Sequence, residues 1–307
     1  MNTAELFLCL APGNLPRRFL PSRVIRILLL ILSALPAVAQ DVRVLSFNIR
    51  YNNFMDGANA WPHRKEAVAQ LIEKTADVAG LQEVKPEQRS WLIEHLPQFG
   101  VLGVGREPED RDESVPVVYR KDRFEVLASG TFWLSENPDV AGSTSWGNKL
   151  PRICTWAKLR DNKANHAIFF YNVHLDHQSG SARQRGAALV ADHIVKREGK
   201  EPAILVGDFN CTFADAPLKA LAARENPALV STYDALGVPA EGTFHGFTGK
   251  TGTRAIDYIF FEKDRWKVKS GSILKTTYRG TDGVDRYVSD HFPIDAVLEP
   301  IAPAKSE

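Results

Sequence analysis

From residue 42 onward, short apolar runs rich in β-branched and aromatic residues recur, each bounded by turn formers. They predict strands over Val42–Ile49, Asp77–Leu81, Val115–Tyr119, Phe124–Trp133, Ile153–Leu159, Ala167–Val173, Ala203–Val206, Ile256–Phe261, Trp266–Leu274 and Phe292–Leu298. Helical spacing intervenes in places. Within His63–Lys74, Ala67, Val68, Leu71 and Ile72 fall on one side, and Ser181 is placed to cap a helix burying Ala187, Val190, Ala191 and Ile194. Strands mixed with helices and hairpins, without strict βαβ alternation, predict an α/β protein with mixed sheets and helices outside them.

Between residues 40 and 299 no repeat, low-complexity tract or Pro/Ser linker interrupts the chain, so one domain is expected, with a frayed tail over 300–307. The N-terminal segment is different. Arg17, Arg18, Arg23 and Arg26 precede the apolar stretch Ile27–Leu35, which leads into Pro36-Ala37-Val38-Ala39, the layout of a secretory signal. Pro36 breaks the run, which falls short of the roughly 20 residues that span a bilayer. The expectation is cleavage after Ala39, export to the periplasm or the exterior, no stable membrane span afterwards, and a monomer.

Charge narrows the partners. The 307 residues carry 38 Lys and Arg against 37 Asp and Glu, and loss of residues 1–39 leaves 34 basic and 36 acidic residues. Such a balance does not advertise strong sequence-independent nucleic-acid binding, which draws on many phosphate contacts; a local basic groove stays compatible with it. Cys9 lies in the leader, which leaves Cys154 and Cys211 either as one disulfide or as two buried thiols. The strand-like setting of Cys154 favours thiols.

Polar residues collect where predicted strands end. Asn48 follows the first strand, Glu83 lies in "LQEV", His174 in "YNVHLDH", Asp208 and Asn210 in "GDFN", and Asp290 and His291 in "SDHFPI". Asp and Asn there can be simple turn formers. Converging on one rim of an α/β fold, they would instead make a ligand site. Hard oxygen donors from Asn48, Glu83, Asp208, Asn210 and Asp290 suit Mg2+, with Mn2+ the alternative, and the lack of a Cys–His cluster argues against structural zinc.

The segments "SFNIR", "LQEV", "NVHLDH", "VGDFN", "IDYIF" and "SDHFPI", in that order from about Val42 to Leu298, resemble the endonuclease/exonuclease/phosphatase superfamily. The secreted bacterial branch related to the deadenylase-like exonucleases is the part it is most similar to. The resemblance implies a four-layered α/β sandwich of the deoxyribonuclease I type, with two central mixed β-sheets flanked by helices. It also implies roles: Asn48, Glu83 and Asp290 at the metal, and Asp208 orienting or deprotonating the attacking water. Asn210 would hold the phosphate or nucleophile. His174 and His291 would flank the scissile phosphate, and Asp257 would orient His291. Glu113 is a weaker candidate partner for His174.

The expected activity is hydrolysis of a phosphodiester by in-line attack of water, as in a nuclease of exonuclease type. The alternatives are a phosphatase or phosphodiesterase for sugar phosphates, inositol phosphates or phospholipid headgroups, and a non-catalytic binding protein with the same fold. Arg152, in a segment with Trp133 and Trp146, suits either a phosphate grip or a structural role, and the tryptophans suit stacking or core packing. His177, Arg183, His245 and Trp146 are the further substrate-binding candidates. His63, His95, His166 and His193 lie off the motifs and are expected to be surface or core residues. Where repair nucleases carry an acid two positions after the first Asn, this chain has Arg50, which speaks against abasic-site repair.

Overall fold

A strand covered on both faces needs an unbroken apolar run, and Val78–Gln82 and Ala203–Asp208 are buried at every position. Each lies inside its own sheet. The computed structural model describes residues 40–301; residues 1–39, the expected signal segment, and residues 302–307 of the expected tail lie outside the described residues. The first half runs β1 (Val42–Asn48), α1 (Trp61–Thr75), β2 (Val78–Gln82), α2 (Pro86–His95), β3 (Phe99–Leu102), β4 (Gly105–Glu107), β5 (Arg111–Ser114), β6 (Val117–Arg120), β7 (Phe124–Trp133) and β8 (Ile153–Asp161). The second half runs β9 (His166–His174), α3 (Gly180–Lys196), β10 (Ala203–Asp208), α4 (Ala216–Ala222), β11 (Leu229–Ser231), α5 (Thr232–Leu236), β12 (Asp257–Glu262), β13 (Trp266–Ile273), β14 (Thr277–Arg279), β15 (Asp285–Tyr287) and β16 (Ile294–Pro300).

Two six-stranded sheets result, in the orders β13-β16-β1-β2-β6-β3 and β11-β12-β10-β9-β8-β7. Both are mixed: β1 with β2 and β9 with β10 are parallel, while β1 with β16 and β10 with β12 are antiparallel. Alternation along β1 shows how the layers form. Val42 and Val44 join the core shared with the second sheet, whereas Leu45, Phe47 and Ile49 join the core under α1 with Val68, Leu71 and Ile72. On the far side, Ala187, Val190, Ala191 and Ile194 of α3 cover the second sheet. The four-layered sandwich with helices outside is the observed fold.

Where the sheets meet, side chains are small or specifically polar. A Cβ on Gly80 would lie 2.4 Å from Val206 Cγ2 and 2.6 Å from Asn172 Cγ, so this position of β2 tolerates only glycine. Asn172 of β9 is fully buried and crosses the gap: Nδ2 donates to the carbonyls of Leu81 (2.7 Å) and Pro116 (2.9 Å), and Oδ1 accepts from Gln82 Nε2 (2.7 Å). One amide thus satisfies three partners and ties β2 to the opposite sheet.

Some expected boundaries move. Ser179, not Ser181, caps α3, its Oγ accepting from Ala182 N–H (3.1 Å), because the chain turns at Asp176 before the helix begins. The last strand extends through Pro300, so residue 300 belongs to the sheet rather than to a tail. Helices α2, α4 and α5 and strands β3 and β11 are too short or too weakly patterned to have been predicted. Cys154 and Cys211 are both buried free thiols.

Candidate active site

The same parity that sends Val42 and Val44 toward the second sheet sends Asn48 there too. Its Nδ2 donates to Glu83 Oε1 (3.1 Å), just past β2, and to Asp208 Oδ2 (3.1 Å), at the end of β10. Asp208 leaves its strand after Gly207, where a Cβ would lie 2.1 Å from the Val173 carbonyl, so glycine permits the close approach of β10 to β9. Asp208 Oδ1 then accepts from Asn210 N–H (2.9 Å), closing an Asx-turn, and Asn210 Nδ2 is anchored on the Leu175 carbonyl (3.0 Å). The turn-forming role and the placement of both side chains are one geometry.

Two imidazoles face that carboxylate. His174 Nε2 lies 3.6 Å and His291 Nε2 3.8 Å from Asp208 Oδ2, and the other nitrogen of His291, Nδ1, bonds to Asp257 Oδ2 at 2.9 Å. Asp208, Asp257 and His291 form a buried trio whose ligand atoms lie within 4.8 Å of one another. Within the trio, His291 and Asp257 form a buried ion pair. Burial opposes charge on His291, but Asp257, then Asp208 and Asp290, hold its proton well above the ordinary range. His174 goes the other way, lowered by burial and by Arg152 and Arg106, and is neutral. Burial, joined by the Asp257 charge, raises Asp208 to about 7.

A separate oxygen set lies beside them. Glu83 and Asp290 offer two carboxylates, while Asn48, expected as a third donor, turns its Nδ2 to Glu83 and its Oδ1 to the Arg50 N–H (3.0 Å); Asp290 is raised by burial and by the like charge of Glu83, although His291 counters it. Paired carboxylates in a nearly dry site call for a cation, and an all-oxygen donor set fits a hard one. Glu83 Oε2 also accepts from Tyr51 N–H (3.2 Å).

These groups open on one cavity of about 610 Å³, whose walls include Glu83, Asp208, Asn210, His174, His291 and Asp290. Asn48 and Asp257 stand behind that wall. Opposite, Arg152 is buried and holds His177: guanidinium nitrogens only donate, so Nη2 donates to His177 Nδ1 (2.6 Å). Asp176 Oδ2 lies 3.6 Å from Arg152 Nε, which has no hydrogen-bond partner. Arg152 and His177 both line the cavity.

Other expectations move away from it. His245 is buried behind the site, stacked 4.0 Å from Phe292 and edge-on to Tyr287, because its backbone N–H is tied to the Asp290 carbonyl (2.9 Å) and turns the ring inward. Arg183 bends back along α3 to donate to the Asp176 carbonyl (2.9 Å). Trp146 gives its Nε1–H to Glu136 (3.0 Å), outside the cavity. Glu113 does line the cavity, but both of its oxygens accept from Arg106 (3.0 and 3.1 Å), so it pairs with that arginine rather than with His174. Trp133 is core, its Nε1–H on the Arg106 carbonyl (2.6 Å). His63, His95, His166 and His193 all lie off the cavity.

Two contributors carried no sequence signal. Arg64 of α1 is fully buried and donates to the carbonyls of Ile49, Arg50 (2.8 Å), Asn59 (2.9 Å) and Val288 (3.3 Å), fixing the segments that follow Asn48 and precede Asp290. Burial lowers it to about 10. Arg106 is paired with Asp112 and Glu113 in the cavity wall. An amphipathic pattern reads Arg64 as surface, because its partners are backbone groups far away in sequence.

A two-sheet α/β sandwich that gathers acids, amides and imidazoles from both sheets into one cavity has the architecture of the deoxyribonuclease I-like class, whose members include phosphoester hydrolases. The chain belongs to the Endonuclease/Exonuclease/phosphatase family, whose family model matches residues 45–291. Members of this family typically use a divalent metal. No curated protein sequence matches the chain. Among solved structures, it is similar to an endonuclease/exonuclease/phosphatase from Bacteroides vulgatus (36% identity, 85% of this chain and 100% of that one, TM-score 0.78). It is also similar to a mannosyl-6-phosphatase from Bacteroides thetaiotaomicron (32% identity, 85% and 100%, TM-score 0.77). The catalytic domain of human Nocturnin, solved with a bound sulfate anion, shares the fold at 19% identity (85% and 94%, TM-score 0.66).

Proposed function

We propose that the protein is an exported, divalent-cation-dependent hydrolase of small phosphate esters, with phosphorylated sugars ahead of nucleic acids as substrates. The observation that carries hydrolysis is the meeting of Asp208, His174 and the His291–Asp257 pair beside the Asn48, Glu83 and Asp290 oxygens. Three features favour a small substrate over the phosphodiester that the motifs alone put first. The mannosyl-6-phosphatase similarity is the strongest of them. The cavity has the volume of a small-ligand site. Lys85 and Arg106 in its wall are paired with Asp112 and Glu113, which leaves less free positive charge along it for a long polyanion.

In this reading the Asp208 carboxylate takes the proton of the attacking water, a task suited to an acid near neutrality. His291, kept cationic by Asp257, and neutral His174 donate from Nε2 to the phosphoryl oxygens as charge builds on them. Arg152 presents its planar fork to a further phosphate oxygen, steadied by Asp176. Glu83 and Asp290 would hold Mg2+ or Mn2+, with Asn48 positioning Glu83 through its Nδ2; the ion would offset charge on the phosphoryl group and the leaving oxygen.

Purified protein should release inorganic phosphate from mannose 6-phosphate with Mg2+, lose that activity in excess chelator, and recover it on metal addition. A higher kcat/KM on single-stranded RNA or bis-p-nitrophenyl phosphate would restore the phosphodiesterase reading, and turnover in excess chelator would contradict metal dependence. Export is tested by N-terminal sequencing of the protein recovered outside the cytoplasm. The expected first residue is Gln40, and a product retaining residues 1–39 there would refute cleavage.

A further inference from the structure

Arg50 sits at the metal-candidate carboxylates without bonding to them. Its backbone is pinned: φ is +57°, the N–H donates to Asn48 Oδ1 (3.0 Å), and the carbonyl accepts from Arg64 (2.8 Å) and Gln88 (3.0 Å). From there the guanidinium reaches Asp56, with Nε to Oδ2 at 3.0 Å and Nη2 to Oδ1 at 3.1 Å, the two-toothed geometry that fixes an arginine best. Held this way, its Nε is 3.7 Å from Asp290 Oδ2 and its Nη1 is 4.0 Å from Glu83 Oε2. Those separations lie within ion-pair range but beyond hydrogen-bond reach. The positive charge faces both carboxylates while their lone pairs stay open.

We propose that Arg50 is a built-in cation that competes with the divalent ion for Glu83 and Asp290, and that Asp56 is a positioning residue that keeps this competition partial. The proposal rests on the reading that Glu83 and Asp290 hold the ion. Asp56 has no contact with that site of its own; it acts by occupying the guanidinium. Without Asp56, the guanidinium keeps only its contact with the Tyr51 ring (4.3 Å to the centroid), which does not tie up its N–H groups, and the fork can close onto Glu83 and Asp290 and take the oxygens an ion needs. Without Arg50, the two carboxylates face each other uncompensated, and an ion is drawn in more strongly. Buried Arg64 adds background positive charge and is the same in either case.

The test is equilibrium Mn2+ binding, read as free Mn2+ by electron paramagnetic resonance, so that no activity is needed. Wild type should bind Mn2+, and Glu83→Gln should lose it. Arg50→Gln should bind roughly tenfold tighter or more, and Asp56→Asn at least about fivefold weaker, since removing or releasing one charge at this range has effects of that order. The double variant should match Arg50→Gln within about twofold, because Asp56 then has nothing to hold. Arg50→Lys, which keeps the charge, should lie closer to wild type than Arg50→Gln; together with circular dichroism this separates a charge effect from misfolding. Unchanged or weaker binding in Arg50→Gln, with binding still lost in Glu83→Gln, overturns the competition alone. A full loss from Asp56→Asn in the Arg50→Gln background overturns the positioning role. Mn2+ binding that survives Glu83→Gln overturns the metal-site reading and this proposal with it.

Discussion

Asp257→Asn is the sharpest test of how the His291 charge is held. The substitution keeps the shape of the partner but removes the negative charge 2.9 Å from His291 Nδ1, in a pair that is nearly dry. With that charge gone, burial, already the largest single influence on the ring, is opposed by Asp208 and Asp290 alone and pushes it toward the neutral form. A hydrogen bond to a charged group contributes about 1.5–3 kcal/mol, and each ~1.36 kcal/mol of lost transition-state stabilisation costs a factor of ten in rate. Asp257→Asn should therefore lower kcat/KM for mannose 6-phosphate by roughly 10- to 150-fold on these grounds. The paired readout is the His291 ring in NMR: protonated through neutral pH in wild type, titrating at lower pH in the variant. Folding raises the His291 pKa, so the pair's stabilisation is complete below the unfolded value of 6.5 and is lost as pH rises through the folded value. The difference in urea midpoint between wild type and variant should accordingly narrow as pH climbs. A variant within threefold of wild type in kcat/KM from pH 5 to 9, with an unmoved His291 titration, would refute the assignment of that charge to Asp257.

Asp208 must be ionised to accept a proton, and burial with the Asp257 charge raises it to about 7, which places an acid limb in the neutral range. The rate should fall as pH drops through that limb, and a flat profile between roughly pH 5 and 7 would count against Asp208 as the base. Asn172→Leu should strip partners from Leu81, Pro116 and Gln82 at once, costing about 3 kcal/mol or more; calorimetry should show Tm lower by roughly 6–12 °C. His245→Phe should keep kcat/KM within about twofold, since that ring stacks on Phe292 behind the cavity; a tenfold loss would return His245 to the substrate site.

Much of the site was legible because the chemistry lies at strand ends. Alternation of faces along β1 and a glycine before Asp208 leave signatures in consecutive residues, so Asn48, Glu83, His174, Asp208, Asp290 and His291 could be read one motif at a time. What could not be read depends on partners remote in sequence. His177 and His245 look alike as loop histidines; one meets Arg152 across the cavity, and the other is turned inward by a backbone bond to Asp290. Glu113 belongs to Arg106 only because a hairpin folds β5 back beside β4. Arg64, with four carbonyl partners, looks from sequence like any polar helix residue.

The amide of Asn172 and the bond from Asn48 to Asp208 join strands of opposite sheets, and the His291–Asp257 pair joins β12 of one sheet to the segment that leads into β16 of the other. Half of the chemistry therefore belongs to each sheet, and neither half is a site alone. Hydrolysis should then report on how the sheets are docked more finely than any spectroscopic measure of strand content. A variant whose sheets slide by a fraction of a residue would keep its circular dichroism and lose its turnover. Selection for activity in this protein is selection on the seam.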